Sequence, residues 1–150
     1  EGRQAKDSFD VFSYRNQYQD LRVAFGNNLK SYYMHYMSSG KAEGRKATGV
    51  KSIQNPITTY NGVDYSAVYN FNYYVNANPD IKAAFGNDDL AVLSHFVNYG
   101  MREGRRGCEA FNVLTYREKN GDLIAAFGDD LKQYYIHYMN YGKNEGRKAA

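Results

Sequence analysis

Three histidines stand at one spacing ahead of a Glu-Gly-Arg triplet: His35 in HYMSSGKAEGR, His95 in HFVNYGMREGR and His137 in HYMNYGKNEGR. An imidazole can act as a general base or a metal ligand near neutral pH, and a carboxylate beside a guanidinium is an acid paired with an anion binder. Catalysis would require such groups to converge on one centre. Here they occupy one slot of three equivalent segments, about a repeat apart, so three copies of the position do not gather round one ion. The spacing predicts a structural imidazole, bonded to a neighbouring backbone group or carboxylate. In the triplet, Gly44, Gly104 and Gly146 are expected to supply a turn with φ > 0, while the glutamate and arginine tie the end of a helix to a neighbouring unit.

The elements that position these residues repeat with them. Laying residues 9–48 over 111–150 gives 23 identities in 40 positions, which common descent explains and chance does not. The triplets begin at Glu1, Glu43, Glu103 and Glu145, so the period is 42 residues and 18 residues have been inserted once, after the first full copy. The organisation reads as the end of a preceding repeat over 1–8, a first repeat over 9–48, an insertion over 49–68, a second repeat over 69–110 and a third over 111–150. The chain then reads as part of a longer one.

Each unit reads as three short helices. The first starts at Asp10, Asn70 or Asn112, good N-cap residues, with an aromatic before (Phe9, Tyr69, Phe111) and a tyrosine four positions after (Tyr14, Tyr74, Tyr116), the spacing of a hydrophobic staple. The second carries Asp20, Asp80 or Asp122 in its first turn, where the helix dipole favours a carboxylate, and closes on Gly26, Gly86 or Gly128 in a left-handed turn. In the middle copy Asn78 and Pro79 fit the N-cap and first helical positions. The third follows an Asn/Asp pair, places Leu29, Tyr33, Tyr36 and Met37 on one face, and stops at Gly40, Gly100 or Gly142. The middle copy departs at Asp89 and Leu90, where the others have leucine and lysine. Phe25, Phe85 and Phe127 are expected in the core. In the insertion, ITTYNGVDY places β-branched and aromatic residues around Asn61-Gly62, a two-residue hairpin signal, after a linker over 48–55. The fold class is therefore all-α: an array of three short-helix repeats sharing an aromatic core, with one small β-hairpin or turn insertion.

Composition narrows the function. A formal charge of +3 without a long basic run is far from a dedicated nucleic-acid binder, and no apolar run is long enough to span a membrane. Cys108 has no disulfide partner in the sequence and no zinc-type spacing around it. No serine elbow, phosphate-cradling loop or H-E-x-x-H motif occurs, so neither an enzyme nor a cofactor or metal is expected. What remains is 16 tyrosines, large rings whose hydroxyls seek a partner. Tyr32 and Tyr134 lie next to the core face, and Tyr60, Tyr65 and Tyr73 cluster in or beside the insertion. With Arg45, Arg105 and Arg106 they are the candidate binding residues, since tyrosine and arginine are usual materials of protein-binding faces and of sugar stacking.

The run DLxxAFG…DDLKxYYxHYxNYGKxEGR, with YNGVDYSAVYN ahead of a copy, resembles tandem repeats in secreted and surface proteins of Clostridia and related gut Firmicutes. That resemblance covers practically the whole chain. It implies an accessory, non-catalytic, extracellular module of a Gram-positive gut bacterium, of the kind attached to cell-wall hydrolases and surface adhesins. The partner it implies is a cell-wall polymer or glycan, or else a host protein such as immunoglobulin, bound by a monomer.

Overall fold

The computed structural model describes residues 8–150. The triplet at Glu1 and the rest of the expected repeat end before residue 8 lie outside the described residues. Three times the chain builds the same trio of helices: α1 (Val11–Gln17), α2 (Gln19–Phe25) and α3 (Leu29–His35); α4 (Phe71–Ala77), α5 (Pro79–Phe85) and α6 (Asp89–His95); α7 (Val113–Lys119), α8 (Asp122–Phe127) and α9 (Leu131–His137). Between the first two trios, β1 (Thr59–Tyr60) and β2 (Val63–Asp64) pair antiparallel, Tyr60 opposite Val63. Asn61 and Gly62 both take positive φ, at 49° and 78°, as a two-residue type I′ loop requires. The all-α class with one hairpin holds.

The local signals act as their chemistry predicts. Asp10 and Asn112 each accept two backbone N–H groups at the start of their helices, and Asn70 accepts that of Tyr73. The staple rings meet at centroid distances of 5.5 Å for Phe9 and Tyr14, 5.8 Å for Tyr69 and Tyr74, and 5.3 Å for Phe111 and Tyr116. Each repeat then closes on itself: the N–H of Asp10, Asn70 and Asn112 donates to the carbonyl of Ala47, Gly107 and Ala149, two residues past the triplet arginine.

Several expectations change in detail. Gly26, Gly86 and Gly128 do end their helices at positive φ, but with ψ near −120°, outside the left-handed helical region and open in practice to glycine alone. The helical run does stop at Gly40, Gly100 and Gly142, but through one wide i→i+5 turn (Tyr36–Gly40, Phe96–Gly100, Tyr138–Gly142), where these glycines sit against the staple tyrosine, whose Oη a Cβ at Gly40 or Gly142 would overlap. On the third helix Leu29, Tyr33 and Tyr36 pack on the core as expected, but Met37 is exposed and Tyr32, beside them, is fully buried. Phe25, Phe85 and Phe127 are half-buried rather than fully buried, and Phe25 packs against the core of its repeat.

The chain divides into two compact units. One runs to Ile57 and includes Asn87–Leu90; the other holds Thr58–Gly86 and Ala91–Ala150. In the first, Phe9, Val11, Tyr14, Leu21, Tyr32 and Ala47 form the core, with Tyr18, Leu29, Tyr33 and Tyr36 packed on it. The expected linker is packed too, burying Val50 and Ile53. A buried ion pair fastens this unit: Arg22 and Asp89, each with a side chain 1 % exposed, meet at 3.1 Å. Arg22 also donates to the carbonyls of Arg15, Asn16, Gln54 and Asn55, while Asp89 accepts the Ile57 N–H, so both charges are saturated. In the second unit, two repeats share one core. Tyr135 of the third repeat is fully buried, packs edge-on to Phe96 of the second at 5.8 Å, and donates its hydroxyl to the Arg105 carbonyl at 2.7 Å.

Candidate binding site

The histidines and the triplet arginines each bond to partners inside their own repeat. The staple tyrosine hydroxyl and the histidine Nδ1 share a hydrogen bond: Tyr14 with His35 at 3.0 Å, Tyr74 with His95 at 3.1 Å, Tyr116 with His137 at 2.8 Å. Each histidine is held within its repeat by this bond, and the partner is a phenol rather than the expected backbone group or carboxylate. Burial pushes the Tyr14 and Tyr116 hydroxyls up to about 12 and that of Tyr74 higher still, and burial with the nearby Arg105 charge holds His95 below its ordinary value. At His95 a neutral imidazole accepting from the neutral Tyr74 phenol is the arrangement these shifts favour.

The triplet arginine also reaches within its own repeat, which corrects the expected tie to a neighbouring unit. Arg45 clamps Asp20 with two N–H groups at 3.1 and 3.0 Å and Glu43 with a third at 2.6 Å. Arg105 holds Asp80 and Glu103 in the same way, and Arg147 holds Asp122 and Glu145. The hydrogen bond from each arginine is the main reason that Asp20, Asp80 and Asp122 are held below the ordinary carboxylate range. Gly44, Gly104 and Gly146 make the turn at φ 71°, 73° and 68°, as expected.

The expected binding residues are scattered, and several are not surface groups at all. Tyr32 and Tyr134 are fully buried, because each directs its hydroxyl at the carbonyl of the glycine ending the second helix, Gly26 at 2.6 Å and Gly128 at 2.7 Å. Tyr65 is buried beneath the hairpin at 9 % exposure. Arg45 and Arg105 are locked in their clamps. Arg106 is half-buried, donates to the carbonyls of Cys108 and Glu109, and lies over the Tyr73 ring at 5.8 Å. Tyr60 stays partly open, its hydroxyl accepting from Ser94 and Asn98 at 3.3 Å.

A different aromatic arrangement faces solvent. His95 lies between the half-buried Phe85 ring at 5.9 Å and the Tyr99 ring at 5.6 Å, and His137 lies likewise between Phe127 at 5.8 Å and Tyr141 at 5.6 Å. Tyr99 and Tyr141 are each 61 % exposed, among the most open large side chains of the molecule. Each strip is a row of three rings with an asparagine beside its outer tyrosine, Asn98 or Asn140. A tyrosine four residues after the histidine is the sequence signal for the strip, and it is missing from the first repeat, where Ser39 stands and a depression of about 400 Å³ is lined by Phe25, Met34, His35 and Ser38. Tilted rings in a row with an amide alongside offer an apolar platform and polar anchors.

No family model, no curated protein and no solved structure matches the chain. Among the described residues no histidine, cysteine or acid cluster could hold a metal ion, and no helix is long and apolar enough to cross a membrane.

Proposed function

We propose that this chain is a non-catalytic binding module of a secreted or surface protein of a Gram-positive bacterium, holding its parent protein at the cell wall by contact with a wall polymer or another glycan. The observation that carries the reading is the pair of exposed ring strips, Phe85, His95 and Tyr99 in one repeat and Phe127, His137 and Tyr141 in the next. The histidine Nδ1 atoms are engaged inward, with Tyr74 and Tyr116, and the open ring faces suit the apolar face of a pyranose ring. The repeat motif, with its resemblance to modules of extracellular clostridial proteins, supports the same assignment.

A second reading rests on a different feature. The first repeat exposes Val23, Met34 and Met37 at 59, 53 and 71 %, and methionine is an adaptable contact for protein partners. That would make the chain an adhesin module for a host protein such as immunoglobulin. Both readings are tested by co-sedimentation with purified peptidoglycan run beside capture on immobilised immunoglobulin, for the parent chain, the Tyr99→Ala/Tyr141→Ala pair and Met37→Ser. The glycan reading expects wall binding that the tyrosine pair weakens by about tenfold, the scale of two lost stacking rings. Wall binding unchanged in that pair would overturn it, and immunoglobulin capture lost in Met37→Ser would put the second reading in its place.

A further inference from the structure

Arg15 is a buried cation that the fold leaves without a counter-charge. It lies on α1 directly after Tyr14 and is 8 % exposed. The same slot in the third repeat holds Arg117, which donates to the Asp129 carboxylate at 2.7 Å. In the first repeat the place of Asp129 is taken by Asn27, whose amide donates to the Asp88 carboxylate, and Arg15 reaches two neutral groups, the Asn87 carbonyl at 3.1 Å and the Tyr32 hydroxyl. The Nε of both arginines lacks an acceptor, so the difference between the two repeats is the carboxylate. The neighbouring Tyr32 hydroxyl, itself donating to Gly26, brings no negative charge. Among the described residues no acid pairs with Arg15. A desolvated guanidinium without a counter-ion is costly, and it persists most readily where a ligand supplies the missing charge.

The surroundings supply room for one. Arg15 lines a cavity of about 330 Å³ within the first unit, together with Phe12, Asn16, Gly49, Val50 and Lys51. Lys51 is exposed and has no ion partner among the described residues. The Phe12 ring, 42 % exposed, makes an apolar rim. Asp10 also borders the cavity, but its carboxylate already accepts the Phe12 and Ser13 amides and the Ser13 hydroxyl, so two cations outnumber one engaged acid. Asn16 is engaged as well, donating to the Val50 carbonyl at 3.0 Å, which fixes the wall of the cavity.

We infer that this cavity is a binding site for a single carboxylate or phosphate group, received by the Arg15 guanidinium, drawn in by Lys51, and followed outward by the ring of Phe12. Guanidinium is suited to either anion because its planar fork matches both. The site uses none of the residues of the ring strips, so its failure and that of the glycan reading are separate results. It is tested by amide-resolved NMR titration of the whole chain at low ionic strength with inorganic phosphate, with glucuronate and, as neutral control, with glucose. The expected result is saturable movement of the Phe12, Gly49, Val50 and Lys51 amides with phosphate or glucuronate and none with glucose; which anion binds more tightly tells a phosphate source from a uronate one. Arg15→Gln should abolish the response, Lys51→Gln should weaken it by about threefold or more, the scale of a single exposed charge, and Arg117→Gln should leave it intact. Should Arg15→Gln fold poorly, Lys51→Gln decides. Shifts spread over all basic surfaces, the same response in Lys51→Gln as in the parent chain, or no saturable response would overturn the site.

Discussion

Arg22 and Asp89 both depart from the repeat pattern. The slot of Arg22 holds Lys82 and Ile124 in the other copies, and that of Asp89 holds Leu29 and Leu131. Departures of this kind invite a functional reading, yet these two residues meet each other 67 positions apart, and in the insertion Arg22 donates to the carbonyls of Gln54 and Asn55 while Asp89 accepts the Ile57 N–H. No rule of spacing within one copy could pair them, since each is normal for its own helix and only the partner explains it. Removing one member leaves the other charged, buried and unpaired, which costs more than the pair contributes. Asp89→Ala is therefore expected to lower unfolding stability by about 3 to 5 kcal/mol, and Arg22→Met in that background to recover part of the loss, both read from urea denaturation midpoints. A cost below about 0.5 kcal/mol, the range of ordinary surface changes, would show the pair to be incidental.

At the scale of elements, the sequence is most legible where one residue satisfies one backbone need. The caps at Asp10, Asn70 and Asn112, the aromatic staples, Pro79 at the helix start and the Asn61-Gly62 loop all stand where local chemistry puts them. The ends of the third helices are harder to read, because glycine has two uses: it permits positive φ, and it lets another group approach. Gly44 has the first use and Gly40 the second, and only the packed structure, with Tyr14 Oη against Gly40, separates them. The candidate binding residues are hard to place for a related reason, since tyrosines adjacent in sequence, such as Tyr32 and Tyr33, differ only in which side of the helix meets the core. Gly40→Ala should cost about 1 to 3 kcal/mol, the usual range for overpacking, because the Tyr14 ring is buried and has little room to retreat. Adding Tyr14→Phe removes the clashing oxygen and should restore part of that stability, although Tyr14→Phe by itself forfeits the bond to His35. If the two substitutions simply add in thermal denaturation, the close approach is not what fixes this glycine.

Across the whole molecule the same buried phenols and clamped carboxylates occur in copy after copy, so their proton linkages add. The Tyr14, Tyr32 and Tyr116 hydroxyls are pushed up to about 12, and those of Tyr74 and Tyr135 further, all chiefly by burial, against an ordinary value of 10.0. In the unfolded chain these groups release their protons near 10, whereas the folded chain keeps them. Stability is therefore fully present below pH 10 and is lost as pH rises from 10 through about 12. At the acid end the signs reverse: Asp20, Asp80 and Asp122 sit below 3.8 when folded, so the unfolded chain takes up protons first and stability falls as pH drops below about 4. His95, held below 6.5, adds a shallower loss that begins as pH drops below that value. A plot of urea midpoint against pH should be flat from about 7 to 9, sag gently below 6.5 and drop steeply at both ends. The alkaline limb carries the sharper test, because the near-ultraviolet tyrosinate signal follows the same protons: a cooperative component should appear together with unfolding, after the exposed tyrosines have titrated. Tyrosinate forming in a single unbroken curve centred near 10, with the helical signal intact, would place those hydroxyls in water and overturn the aromatic core.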